Sequence, residues 1–269
     1  MMLSVPEESH TAVKTGSAGL HVRLAKTDAD IFAAQRLRYE VFARELGANG
    51  AMVNHAERTE QDRFDAVADH LLLIDQKRAA GDQVVGTYRL MTNALAARAG
   101  GFYCADEYDL QPLTVSGLSL LELGRSCLHP DYRGGAGMLH LWGGLAQYID
   151  ANSIDVMFGV ASFHGTDLSK LRQPLSLLAH RHLAPDHLRV SAHGSGAVPL
   201  EMVAPDALDR VTAVRQMPAL IKAYLRLGGT VGDGAFVDHA FNTTDICLIL
   251  ERSAMKALQK KIYSRQVTP

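Results

Sequence analysis

The stretch LLELGRSCLHPDYRGGAG, Leu120 to Gly137, constrains the fold more than any other part of the chain. Its first nine residues read as a strand apolar on both faces, which requires a sheet covered on both sides. A glutamate (Glu122) and an arginine (Arg125) nonetheless lie within it, and a charge inside a covered strand is costly unless it is paired or used. Residues three apart on a regular strand face opposite ways. Gly124, between the two charges, is where a bulge would reset the alternation and turn both toward one pocket. Such a bulge would also splay this strand from its neighbour and free backbone groups for an extended ligand. A buried Glu122–Arg125 ion pair accounts for the two charges equally well. The glycine-rich turn that follows enters a helix, whose first N–H groups form an anion site to which Arg133 adds a charge. Taken alone, it reads as well as a plain strand-to-helix connection.

Around this stretch the pattern predicts strands over 21–27, 70–76, 83–91, 156–163 and 243–251, with a hairpin at KRAAGD. Helices are expected from Asp28 to residue 48, capped at Asp28 or Asp30, and over GMLHLWGGLAQYIDANS, TDLSKLRQPLSLLAHRHLA and 206–228. The terminal SAMKALQKKIYSRQ reads as a basic amphipathic helix. This order gives one α/β domain with a mixed, partly splayed sheet flanked by helices, spanning 20–269 after a flexible leader over 1–19. The formal net charge of −2 argues against nucleic acid as the partner. Three scattered cysteines, Cys104, Cys127 and Cys247, read as reduced thiols of a cytoplasmic protein. No apolar run approaches the ~20 residues that cross a bilayer, so contact with an inner membrane would be peripheral. A Walker loop, a dinucleotide fingerprint and a zinc-ligand cluster are all missing, which leaves no metal site and no phosphoryl or hydride chemistry.

The strand, the R-G-G-x-G turn, the helix and the next strand resemble the core of the Gcn5-related N-acetyltransferase fold. In that fold splayed strands clasp a pantetheine arm and the turn takes a phosphate. The family's coenzyme A loop is Q/R-x-x-G-x-G/A, and here Arg133, Gly134, Gly135 and Gly137 stand out of register with it. The single phosphate of a 4′-phosphopantetheine arm carried by acyl carrier protein asks less of this loop. Arg38 and Phe42, Asp62 and Asp65, Arg89, and Glu122 with Arg125 resemble the charged constellation of acyl-homoserine-lactone synthases. RYEVFARELGA, DRFDAVADHLLLID, VVGTYRLM, ELGRSCLHPDYRGG, PALIKAYLRLGG and DHAFNTTDICLILE resemble the ornithine N-alpha-acyltransferases of ornithine-lipid synthesis, over most of the chain.

That resemblance implies transfer of a 3-hydroxyacyl group from acyl carrier protein to the α-amine of L-ornithine, with no permanently bound cofactor. The rivals are an acyl-homoserine-lactone synthase and a non-catalytic domain that binds an acyl ligand or carrier protein. Aminolysis of a thioester needs a base for the acceptor's ammonium, and Glu122 is the first candidate, with a structural pairing to Arg125 as the alternative. Asp62 and Asp65 suit the cationic amines, or are ordinary solvated charges. Arg38, Arg89 and Arg125 each offer a fork for the acceptor's carboxylate. Ser126 or Tyr148 could protonate the leaving thiolate, though both read better as structural, as does His70. Asp238, Asn242, Thr243 and Asp245 are read as building the turn into the last strand, with catalysis as the alternative. Leu220, Ile221, Tyr224, Leu225 and Leu227 are a candidate wall for an acyl tunnel.

Overall fold

The apolar run in β5 (Asp69–Asp75) shows how this chain builds its layers. Leu71 and Leu73 pack into one buried cluster, while Leu72 and Ile74 pack into another on the opposite face. A strand buried on both sides needs helices above and below, and the chain supplies them. The structure is a computed structural model and describes residues 13–17 and 19–255. The expected C-terminal basic helix lies outside the described residues, apart from Ser253 to Met255, which form a turn and a bend.

In chain order, β1 (Val13–Ser17) and β2 (Leu20–Leu24) lead into α1 (Asp28–Arg38). The short strands β3 (Val53–Asn54) and β4 (Thr59–Glu60) precede β5, and β6 (Val84–Thr92) follows it. Then come α2 (Asn93–Ala99), β7 (Tyr108–Asp109), α3 (Gln111–Thr114) and β8 (Leu120–Leu128). α4 (Gly137–Ala151), β9 (Val156–His164) and α5 (Leu168–Arg181) complete the central crossover. The last third holds β10 (Ser191–Ala192), β11 (Ala197–Val198), α6 (Arg210–Gln216), α7 (Ala219–Arg226), β12 (Thr230–Val231), β13 (Ala235–Asp238) and β14 (Thr243–Glu251). Ten of these strands form one mixed sheet in the order β1-β2-β5-β6-β8-β9-β14-β13-β11, with β12 beside β14. Helix α1 packs its Ala34 on the Leu72 face, and Leu141 and Leu145 of α4 pack with Leu71 and Leu73 on the other. No helix among the described residues is long and apolar enough to cross a membrane.

Several expectations are corrected. Thr27, not Asp28 or Asp30, caps α1, its Oγ1 accepting from the Asp30 N–H at 3.2 Å. The helix runs on past Arg38 as π-helical turns, Tyr39–Glu45. The single helix expected over 206–228 is two, because Pro218 holds Met217 in an extended conformation, ψ 131°. Within the expected flexible leader, Val13–Ser17 pairs with β2 as a strand.

The sheet has one parallel junction among its named strands, β8 against β9. It lasts three residue pairs, Leu120–Val156, Leu121–Met157 and Glu122–Phe158, and then the strands part. β9 stays paired along its whole length with β14. Gly159 stands where the parting begins, and a β-carbon there would run into the carbonyl oxygen and backbone of Leu123. Only a glycine permits this approach. Gly159→Ala should therefore destabilise the protein by about 1–3 kcal/mol, read as a fall of several degrees in Tm. An unchanged Tm would mean that the strands spread freely to admit a methyl group.

Candidate functional site

Six charges close a ring beneath β6 and β8. Arg38 on α1 pairs with Glu60 (Nε–Oε2 2.5 Å) and forks Asp65 at 2.9 and 2.6 Å. Arg89 on β6 joins Asp65 at 3.1 Å to Asp62 at 2.6 Å. Arg125 on β8 joins Asp62 at 3.0 Å to Glu60 at 3.0 Å. Three arginines thus alternate with three carboxylates, and Arg38 and Glu60 are wholly buried. Burial raises the Asp65 carboxyl pKa, but Arg38 and Arg89 outweigh it and hold the group well below the usual carboxylate range. His70 is packed beside the ring with Nε2 2.9 Å from the Asp65 carbonyl, the structural role expected for it.

The bulge of β8 falls one residue beyond Gly124. Arg89 pairs with Gly124 and Thr87 with Cys127, so Arg125 and Ser126 together oppose Tyr88. Arg125 itself takes the left-handed conformation, φ 51°. That costs roughly 1–2 kcal/mol in a residue other than glycine. The ring secures it, and the guanidinium lies 4.5 Å from the Tyr103 ring centroid and 4.7 Å from that of Phe241.

A cavity of about 250 Å³ opens where β8 and β9 part. Leu123 to Ser126 line it from β8 and Met157 to Ser162 from β9, with Phe42, Phe241 and Tyr103 also in its wall. Leu220 and Tyr224 of α7 line it as expected. Leu123, Met157, Tyr224 and Leu250 also border a second, smaller apolar cavity walled by Trp142 and Ile149. Of the three ring arginines, Arg125 alone lines the cavity.

Glu122 is not among the lining residues, and it pairs with no arginine among the described residues. Its Oε2 accepts from the N–H of Tyr103 at 2.9 Å and its Oε1 from that of Cys104 at 2.6 Å. Burial pushes its carboxyl pKa up against these bonds. Asp62 and Asp65 are likewise absent from the cavity wall and spent on arginines. Tyr148 donates to Asp69 at 2.6 Å, whereas Ser126 lines the cavity with an unpartnered hydroxyl.

Beyond the bulge, Arg133 turns away from the helix it precedes. Its guanidinium forks Glu45 at 2.5 and 2.8 Å, and its Nε donates to the Leu128 carbonyl at 3.0 Å. Gly134 is left-handed, φ 71°, and a β-carbon at Gly137 would lie 2.7 Å from the Tyr132 carbonyl oxygen. Gly135 is open, and no side chain caps the N-terminus of α4.

Two features escaped the sequence reading. Glu60, the sixth member of the ring, lies two residues before Asp62 outside the D-x-x-D spacing that drew attention. Beside the cavity, which Asp238 and Asp245 line, oxygens of Glu107, Asp238 and Asp245 all lie within 4.8 Å of one another. Asp238 does build the turn expected of it, accepting from the N–H groups of Ala240 at 2.7 Å and Phe241 at 3.1 Å.

Comparison with known proteins agrees with this architecture. Residues 37–143 match the family of acetyltransferase (GNAT) domains. The chain has the fold of FeeM, an N-acyl amino acid synthase from uncultured soil microbes, with a TM-score of 0.51 at 13% identity over 90% of this chain and 97% of that one. It is 53% identical to an L-ornithine N(alpha)-acyltransferase of Rhodobacter capsulatus, over 91% of this chain and 95% of the relative. It is 46% identical to an L-ornithine N(alpha)-acyltransferase of Brucella abortus, over 89% and 87%. With a splayed acetyltransferase-type sheet, a cavity at the splay and identity of this depth along nearly the whole chain, the protein is an acyltransferase that belongs to the L-ornithine N(alpha)-acyltransferase family.

Proposed function

We propose that this protein transfers a 3-hydroxyacyl group from the 4′-phosphopantetheine arm of acyl carrier protein to the α-amine of L-ornithine, giving a lyso-ornithine lipid. The observation that carries the reading is the cleft between β8 and β9: two strands that part after three residue pairs, with an apolar cavity at the parting. A pantetheine arm is an extended chain with amide groups, and unpaired strand backbone is its natural partner. The acyl chain then runs toward Tyr224, Leu250 and the smaller cavity beyond. The relatives' names supply the acceptor.

In this reading the acceptor's α-carboxylate lies on Arg125. Burial opposes that guanidinium's charge, but Glu60, Tyr103 and Asp62 more than compensate. The freed amine attacks the thioester carbon, the C–N bond forms, and the C–S bond breaks. Backbone N–H groups at the bulge face the developing oxyanion, and the Ser126 hydroxyl stands on the same wall to meet the departing sulfur. Asp62 and Asp65 serve by holding Arg125 and Arg89, and Glu122 by holding the Tyr103–Cys104 backbone.

The donor is inferred from the turn. Arg133 is committed to Glu45, so one phosphate would meet backbone N–H groups at the start of α4. Nothing in the turn matches the longer coenzyme A pyrophosphate loop. With one acyl group on both carriers, kcat/KM should favour acyl carrier protein by about tenfold or more, the equivalent of ~1.4 kcal/mol. Equal values would remove carrier-protein dependence from this reading.

Arg125→Lys keeps the charge but loses the planar fork. It should raise the KM for ornithine about ten- to a hundredfold, the worth of ~1.5–3 kcal/mol for a charged hydrogen bond, while the donor KM moves only a few-fold. A variant with normal ornithine KM would place the acceptor's carboxylate elsewhere.

A further inference from the structure

The charged groups around the cavity fall into two sets. Every carboxylate of the ring faces arginine, so none is left to meet a cationic amine. Glu107, Asp238 and Asp245 are the opposite case. None of them forms an ion pair among the described residues, yet Glu107 and Asp245 are each only 4% exposed. Asp245 Oδ1 and Glu107 Oε2 are buried without a hydrogen-bond partner. Asp238 and Asp245 line the cavity that opens where β8 and β9 part.

Orphaned carboxylate oxygens at a cavity wall are costly in an empty site and are satisfied by a donor that arrives with the ligand. An ammonium brings three such donors and the compensating charge. Resting on the amine-acylating reading above, we propose that Asp245, flanked by Glu107 and Asp238, receives the acceptor's α-ammonium and takes its proton. One N–H proton passes to the Asp245 carboxylate, the neutral nitrogen bonds to the thioester carbon, and the second proton leaves with the departing thiol. Asp245 then returns its proton to water.

The groups around Asp245 suit this role. On β9 Ser162 is its cross-strand partner, and on β14 Thr243 stands beside it. Asp238 approaches from β13, Arg125 from β8 and Glu107 from the segment before β7, while Tyr108 donates to the Asp245 backbone carbonyl at 3.0 Å. Burial raises the Asp245 carboxyl pKa. The Ser162 and Thr243 hydroxyls pull it down, Asp238 raises it and Arg125 lowers it, and the group is pushed up to about 6. Burial, with Asp245 and Asp238 beside it, pushes the Glu107 carboxyl up to about 9. A group poised just below neutral pH is ionised enough to accept a proton and basic enough to use it.

The test compares Asp245→Asn with wild type on two acceptors: ornithine, a cation, and methoxyamine, whose nitrogen is uncharged at neutral pH and needs no base. Asp245→Asn should lose about a hundredfold or more in kcat with ornithine. The loss should shrink as rising pH deprotonates the free amine, and methoxyamine turnover should stay within a few-fold of wild type. Equal loss on both acceptors, or none with ornithine, overturns the proposal. If the variant does not fold, the wild-type pH profile decides. Ornithine turnover should fall away as pH drops through about 6, while methoxyamine turnover persists, and an acid limb common to both acceptors overturns the assignment. A wild type that prefers another ammonium acceptor revises the choice of ornithine and leaves Asp245 to be tested on that amine. A wild type that acylates methoxyamine but no ammonium overturns the role of Asp245.

Discussion

The alternating ring of Arg38, Glu60, Arg125, Asp62, Arg89 and Asp65 is the interaction on which the rest of the site depends. It ties α1, the β4 turn, β6 and β8 together through side chains that are almost entirely out of water. Desolvating six charges is expensive, and only full mutual pairing offsets it. The ring leaves each carboxylate facing two arginines and each arginine facing two carboxylates, so removing any member strands two neighbours. That closure is what holds Arg125 in a left-handed conformation and presents it to the cavity.

The site therefore separates charge that shapes from charge that reacts. The ring is internally neutral, and of its three arginines only Arg125 reaches the cavity. The Glu107–Asp238–Asp245 group forms no ion pair among the described residues, and two of its members, Asp238 and Asp245, line the cavity. Tyr103 stands between the two systems, its ring against Arg125 and its backbone N–H on Glu122. Glu122 thus fixes the aromatic wall that keeps them apart.

Much of the fold could be read from the chain because local pattern and global packing agree. The strands of HLLLID and VVGTYRLM, the hairpin between them and the helix after the glycine turn all lie within a residue or two of their expected positions. Misreadings came where one residue overrode periodicity, as Pro218 did in breaking a helix whose apolar spacing continues across it. The site was legible in its membership and illegible in its pairings. Arg38, Arg89, Arg125, Asp62 and Asp65 do meet, but spacing in sequence cannot say that arginines consume those aspartates. Nor can it say that Asp245, in a strand whose neighbours are hydroxyl-bearing and apolar, keeps a buried oxygen unpartnered. That fact exists only once β9, β13 and β14 are side by side.

The three-pair junction of β8 and β9 also has a mechanical meaning. On one side of it five strands, β1 to β8 in sheet order, are held by antiparallel ladders, and on the other β9, β14, β13 and β11 are held likewise. The sheet is in effect two stiff plates sharing a short seam, and the cleft is the unsewn part of that seam. Any change that lengthened the ladder would strengthen the sheet by erasing the cavity. At this one line, then, the protein cannot gain stability and keep its cleft, and Gly159 marks how far the stitching is allowed to run.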